Sequence, residues 1–267
     1  MNLNSLPRSI SVFLLLTGVA WAQQRPLLTE DPRLIAEGLV LADSGFGYQH
    51  QARFPVSGLT GDLYSFFDTG LRFGVGKRAE FQMTGVIQNY LRLGNGAENR
   101  NDWGDLAFST KVKLADEGHR HPAMSFRPTI VLPNASGTKG IGTDTFQFSG
   151  NLLVGKQAGP AYLFGNVGLG IFDDPTRTQA QQDFLTYGIA ASIPTGSRVK
   201  LMGEWNGRHT SESYPTPGGE SRGQVRLGLQ LTAGGFRWDA AATAGTTDLD
   251  HKAGFVAGIS KEFRLWH

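Results

Sequence analysis

The chain has 267 residues, 25 lysines and arginines against 23 aspartates and glutamates, a formal charge of +2 and no cysteine. That balance excludes nucleic-acid binding through a broad basic face. The missing thiols exclude a disulfide scaffold, a thiolate metal site and a cysteine nucleophile.

At the start of the chain, residues 2–8 form a short polar lead with one cation, residues 10–19 are mostly apolar, and Ala20-Trp21-Ala22 has a small-x-small pattern. These are the three parts of a secretory signal peptide (residues 1–22) cleaved after Ala22, and the apolar run is too short to anchor in a bilayer. Residues 23–36 are expected as an N-terminal periplasmic segment. Plugging of the lumen is the alternative that the sequence leaves open.

From Leu63 onward the apolar residues recur with a period of two, the mark of a strand with one apolar and one polar face. Leu63, Phe67, Leu71 and Phe73 share one phase, and Tyr64, Asp68 and Arg72 the other. Leu106, Phe108, Val112 and Leu114 alternate with Asp105, Ser109, Lys111 and Lys113. Val225, Leu227, Leu229 and Leu231 alternate with Gln224, Arg226 and Gln230. Twelve strands are predicted, near 37–50, 60–74, 79–93, 103–115, 122–133, 145–156, 160–172, 183–193, 198–209, 221–233, 235–245 and 253–266. The connections 76–78, 158–159, 194–197 and 234–235 are tight, whereas 94–102, 134–144, 173–183 and 210–220 are long and polar. Short turns at one end and long loops at the other are the pattern of an outer-membrane barrel. Residues 115–121 are the exception, a longer connection on the short-turn side.

The seventh strand contains Gly165, Gly168 and Gly170, a spacing that invites comparison with a phosphate-binding loop. Such a loop needs a helix whose first N–H groups face the phosphate, and Asp173-Asp174-Pro175 ends this run in a turn instead. Leu163, Val167, Leu169 and Ile171 hold one phase, with Tyr162, Phe164 and Asn166 in the other. The glycines therefore open lumen space or let the sheet curl.

A soluble barrel hides its apolar face inside, and a membrane barrel turns it to lipid. Here the polar phase carries Asp68, Arg92, Lys111, Arg127, Arg198, Lys200, Glu204, Arg208, Arg226, Arg237 and Asp239. Charge in that number suits a watered lumen, with Glu204 and Arg226 as the expected cross-strand pair. Phe73, Phe81, Trp238 and Phe263 fall near the short-turn rim, and Phe146 and Trp205 near the other, as interfacial girdles require. At the C-terminus Ile259, Phe263 and Leu265 are in phase for the barrel-insertion machinery; Lys261 interrupts them, and His267 stands where a final aromatic is usual.

Leu28-Thr29-Glu30-Asp31-Pro32, Trp103-Gly104-Asp105-Leu106, the run from Arg127-Pro128 to Leu132-Pro133, and Gly203-Glu204-Trp205 occur in that order. Together they resemble the MetA-pathway of phenol degradation family of outer-membrane β-barrel proteins, over most of the mature chain. The resemblance implies passage of aromatic or other hydrophobic compounds and brings no residues of established role.

Three constellations invite other chemistry. His119-Arg120-His121 with Glu117 lacks the fixed spacing of a metal site and reads as a solvated loop. Asp173-Asp174, and Asp248 with Asp250, lack the spacing of a calcium loop. His209 and Ser211 resemble the His-x-Ser pair of outer-membrane phospholipase A, but Glu212-Ser213 follows where that enzyme has Asn-Gly, and no third group to orient the histidine is evident.

The sequence therefore predicts an all-β protein, an antiparallel transmembrane β-barrel of about twelve strands (residues 37–267) in the bacterial outer membrane. The expected function is a channel for passive uptake of small molecules, hydrophobic or aromatic compounds among them. A lipid-modifying hydrolase using His209 and Ser211 and a non-conducting structural barrel are the alternatives. The candidate permeation residues are Asp68, Lys111, Arg127, Tyr162, Phe164, Glu204 and Arg226. No enzyme activity, cofactor, metal or nucleic acid is expected; the expected partners are outer-membrane lipids, the insertion machinery and a small-molecule permeant.

Overall fold

The computed structural model describes residues 25–94, 96–177 and 179–265. The expected signal peptide and its expected cleavage site, together with Trp266 and His267, lie outside the described residues.

The strands are β1 (Leu39–Phe54), β2 (Leu59–Gly74), β3 (Ala79–Leu93), the short β4 (Arg100–Asp102), β5 (Leu106–Ala115), β6 (Ala123–Leu132), β7 (Gln147–Ala158), β8 (Ala161–Asp173), β9 (Gln181–Pro194), β10 (Val199–His209), β11 (Arg222–Ala233), β12 (Phe236–Gly245) and β13 (Ala253–Arg264). Apart from β4 and β5, strands adjacent in sequence pair antiparallel, and β1 pairs with β13 from Leu39↔Arg264 to His50↔Ala253, so the sheet closes on itself. Both β4 and β5 pair with β3. They form one wall strand, and the fold is a closed antiparallel barrel of twelve strands.

Closure matters because a spanning backbone finds no water with which to hydrogen-bond, and a sheet without edges satisfies every strand. The alternation then sets the two faces. Leu169, Ile189 and Leu227 are 67, 62 and 72% exposed on the outer surface, while Asn151, Glu204 and Gln230 are buried inside. Covering such an apolar side chain with acyl chains is worth about 1.5–3 kcal/mol each. At the short-turn end the rings of Phe81 and Phe108 lie 6.1 Å apart and those of Phe236 and Trp238 6.3 Å; at the opposite end Tyr187 and Trp205 are 5.3 Å apart.

The strand reading fails locally on β2. Phe67 has φ 54°, a left-handed conformation uncommon for an aromatic residue, and the strict alternation breaks there. Below it Asp68 and Arg72 face inward, as expected. Above it the phase reverses: Phe66 packs on Phe46 at 5.2 Å and Tyr64 on Tyr48 at 5.1 Å, in an outward cluster that reaches Phe255. Tyr64 and Phe66 therefore leave the lumen phase, and Leu63 enters it. Arg92 on β3, opposite Asp62 in the register, also faces outward and not into the lumen, pairing with Asp62 at 2.6 Å, well exposed beside Tyr64. A period-two pattern carries no warning of a bulge, because one irregular residue inverts every face beyond it.

Candidate functional site

Residues 25–36 occupy the lumen. Among the described residues no backbone–backbone hydrogen bond joins residues 25–35 to a wall strand; side chains hold the segment in place. Arg25 enters where Gly45 and Gly258 face each other across β1 and β13, and a Cβ on either glycine would overlap its guanidinium. It pairs with Asp68 at 2.5 Å and lies 3.6 Å from Asp239. Arg226 donates to the carbonyl of Pro26 at 2.7 Å. The Glu204 carboxylate accepts from the N–H of Leu28 at 2.9 Å and of Thr29 at 2.7 Å. Glu204 and Arg226 are direct cross-strand partners 3.5 Å apart, as expected, and both side chains are nearly excluded from solvent. Leu27 packs with Tyr162, Phe164, Ala190 and Met202.

The densest part of the network surrounds Glu30. Asn166 acts as a backbone surrogate, accepting from the Glu30 N–H and donating to the Glu30 carbonyl, both at 2.7 Å. The Glu30 carboxylate meets Lys111 at 2.8 Å and Arg127 at 3.0 Å. The Lys111 ammonium is fully buried, 3.5 Å from Glu80, and also donates to the carbonyls of Asp31 at 3.1 Å and Arg33 at 3.0 Å. Ser125 donates to the Pro32 carbonyl at 2.5 Å, the Arg33 guanidinium lies 3.7 Å over the Tyr162 ring, and the Ile35 N–H reaches Glu80 at 2.7 Å.

All seven predicted lumen residues lie on the inner face: Asp68, Lys111, Arg127, Tyr162, Glu204 and Arg226 each contact this segment, and Phe164 belongs to the apolar cluster around Leu27. Sequence reasoning missed Glu80, Gln82, Ser125 and Asn166, although each sits at a polar-phase position. It also gave no role to Glu30 and Asp31, two acids placed just before the first strand of a barrel with cations in its lumen phase.

Above the segment, toward the long loops, a cavity of about 610 Å³ opens. Leu28 and Thr29 form its floor. Its walls include Leu63, Arg127, Asn151, Phe172, Asn206, Arg208 and Arg222, and loop residues such as Ile141 and Pro175 form its rim. Asp174 ties two of the outer loops together. Its carboxylate accepts from Thr176, from Arg177 at 2.9 Å and from Thr216 of the β10–β11 loop at 2.9 Å. Burial pushes the Asp174 carboxyl up, but those hydrogen bonds outweigh it and hold the group well below the usual carboxylate range.

Among the described residues the alternative constellations do not assemble, and no three His, Asp or Glu side chains group as metal ligands. The His209 ring meets Ser221 at 3.1 Å, and among the described residues no hydrogen bond joins it to Ser211. The 116–122 connection is tied down by Lys156, which donates to the carbonyl of Gly118 and pairs with Glu117 at 3.4 Å. Asp250 accepts from the N–H groups of Gly223 and Thr247, both at 3.0 Å, closing a turn.

No protein-family model matches the chain, and no curated protein matches it. Solved structures do. The chain is similar to the COG4313 outer membrane channel from Pseudomonas putida F1, with TM-score 0.64 and 9% identity over 86% of this chain and 97% of that one. It is similar to the NanC porin, with TM-score 0.55 and 8% identity over 82% and 98% of the two chains. It is also similar to the translocator domain of the autotransporter NalP from Neisseria meningitidis, with TM-score 0.50 and 11% identity over 86% and 90%. At these identities the likeness shows the fold, that of bacterial outer-membrane barrels.

Proposed function

We propose that this protein is an outer-membrane channel for passive uptake of small molecules, hydrophobic and aromatic compounds among them, with residues 25–36 as its closure. The observation that supports the reading is the cavity of about 610 Å³ at the long-loop end, floored by a segment whose residues 25–35, among the described residues, make no backbone–backbone hydrogen bond to a wall strand. A permeant enters between the outer loops, rests above Leu28 and Thr29, and passes when the segment shifts. Asp68, Lys111, Arg127, Glu204 and Arg226 then line the path with charge, and Tyr162 and Phe164 supply an apolar wall. No catalytic step enters this reading.

Single-channel recording of the folded protein in planar bilayers tests it, with Gly188→Val beside the wild type. A Cβ at Gly188 would come within 2.6 Å of the Thr29 hydroxyl, so the variant pushes on the floor without changing any charge. Discrete openings, more frequent in Gly188→Val, are expected. Silence from both proteins, with heat-modifiable gel mobility showing them folded, would leave a non-conducting barrel.

A further inference from the structure

Most buried charges in this barrel have partners, and the cavity above the segment is the exception. Arg208 and Arg222 stand directly opposite each other on β10 and β11, where like charges are destabilising and the side chains start only about 5 Å apart. Both line the cavity, as does Arg53. Among the described residues none of the three has a carboxylate within ion-pair distance. The contacts they do make position them without neutralising them. Arg208 donates to the carbonyls of Gly218 at 2.8 Å and Glu220 at 3.2 Å, and its guanidinium lies 4.5 Å over the Phe184 ring. Arg222 donates to the Arg53 carbonyl at 3.2 Å. Two aspartates share the cavity wall, Asp173 and Asp250; the Asp250 carboxylate is engaged by Gly223 and Thr247.

Glu220 and Asp250 act on Arg208 only from beyond ion-pair distance, and two adjacent guanidinium groups with no directly paired carboxylate are a receptor for one, whose two oxygens match their planar donors. The rest of the cavity is not built for a bare inorganic ion. Leu63, Phe172 and Val56 give it an apolar side, and its volume falls within the roughly 300–1,000 Å³ that small organic ligands occupy. We propose that the cavity selects small organic monoanions, with a carboxylate bridging Arg208 and Arg222 and an apolar body against Leu63 and Phe172. This rests on the channel reading only for its transport consequence; the binding site stands on the cavity itself.

The test is isothermal titration of the folded, detergent-solubilised protein with sodium benzoate and, separately, with benzyl alcohol, a neutral molecule of similar size. Benzoate is expected to bind at least tenfold more tightly. That preference should vanish in Arg208→Gln/Arg222→Gln, and binding should weaken as potassium chloride is raised. Equal binding of the two compounds by the wild type overturns the proposal whether or not the variant folds. So does undiminished benzoate binding in a folded variant. Benzoate binding without any conductance in bilayers would sustain the anion site and sink the channel reading, so the two failures are distinguishable.

Discussion

Lys111→Met separates the hold on residues 25–36 from the stability of the wall. Methionine keeps the length and apolar stem of the side chain and deletes its charge. The fully buried ammonium lies 2.8 Å from Glu30 and 3.5 Å from Glu80. At an effective dielectric of about 20 these contacts are worth about 6 and 5 kcal/mol of Coulomb attraction before desolvation is counted. Much of that is offset by the cost of removing three charges from water. Deleting one partner of a buried pair still costs about 3–5 kcal/mol, because the remaining carboxylates are left uncompensated. Arg127 continues to serve Glu30 at 3.0 Å, so the lower end of that range is expected. The wall keeps its ladders, and the loss falls on docking of the segment. At about 1.4 kcal/mol per tenfold change, the undocked population rises by about 10²-fold or more. Trypsin reads this directly, because cleavage after Arg33 requires the segment to leave the lumen, and native-state cleavage tracks the population of the open form. Lys113→Met is the control: its Asp116 partner is 79% exposed, so little change is expected. Equal cleavage rates in Lys111→Met and wild type, both folded by gel mobility, would refute the assignment of Lys111 as a clasp.

The inverted face above Phe67 predicts opposite labelling for neighbouring single cysteines in a chain that has none: Leu63→Cys should react with a water-soluble thiol reagent entering the cavity, and Tyr64→Cys only with a membrane-soluble one. The reverse result would restore unbroken alternation along β2. For the outer loops, Asp174→Ala should free a spectroscopic label at Glu212→Cys by removing hydrogen bonds worth about 1–3 kcal/mol together. The sign of the pH dependence follows from the lowered Asp174 value. Its contribution is complete above the ordinary 3.8 of an aspartate and is lost only as pH falls through the lower folded-state value. The label should therefore stay restrained down to about pH 4, and loosening between about pH 6 and 4 would contradict that assignment.

The wall was legible because a membrane barrel repeats one rule, lipid outside and water inside, along every strand. Leu227 and Leu229 against Arg226 and Gln230 suffice to orient β11, and the contrast of short turns with long loops orders the ends. Legibility stopped where a single residue carried the information. Nothing in the sequence marks Phe67, whose positive φ accompanies the outward turn of Tyr64 and Phe66 on β2. The inward set was found, yet its purpose was not. Lys111, Arg127 and Glu204 read equally well as pore lining or as pairs across the wall, because alternation gives the direction of a side chain and nothing about what meets it. The decisive partners, Glu30 and the N–H groups of Leu28 and Thr29, belong to a stretch without periodicity. Tertiary contact alone places such a stretch.

The manner of that contact bears on whether the closure can open. A strand added to the sheet would be held by a ladder of backbone hydrogen bonds, cooperative and costly to remove without water. Residues 25–35 are held by carboxylates, guanidinium groups and amides from the wall. In a buried ion pair the attraction and the desolvation cost nearly cancel, so a network of this kind fixes register more than it adds affinity. Water entering behind a departing segment rehydrates Lys111, Arg127 and Glu204, and the wall retains charges of both signs: Arg72 stays with Asp43 at 2.5 Å, and Arg237 with Glu262 at 3.1 Å. The open lumen is then polar and near neutral in its lower half, with the cationic pair Arg208 and Arg222 above it. On the proposed reading, an anion bound at the top would meet no net repulsion on the way down, the charge arrangement that passive uptake of such a solute requires.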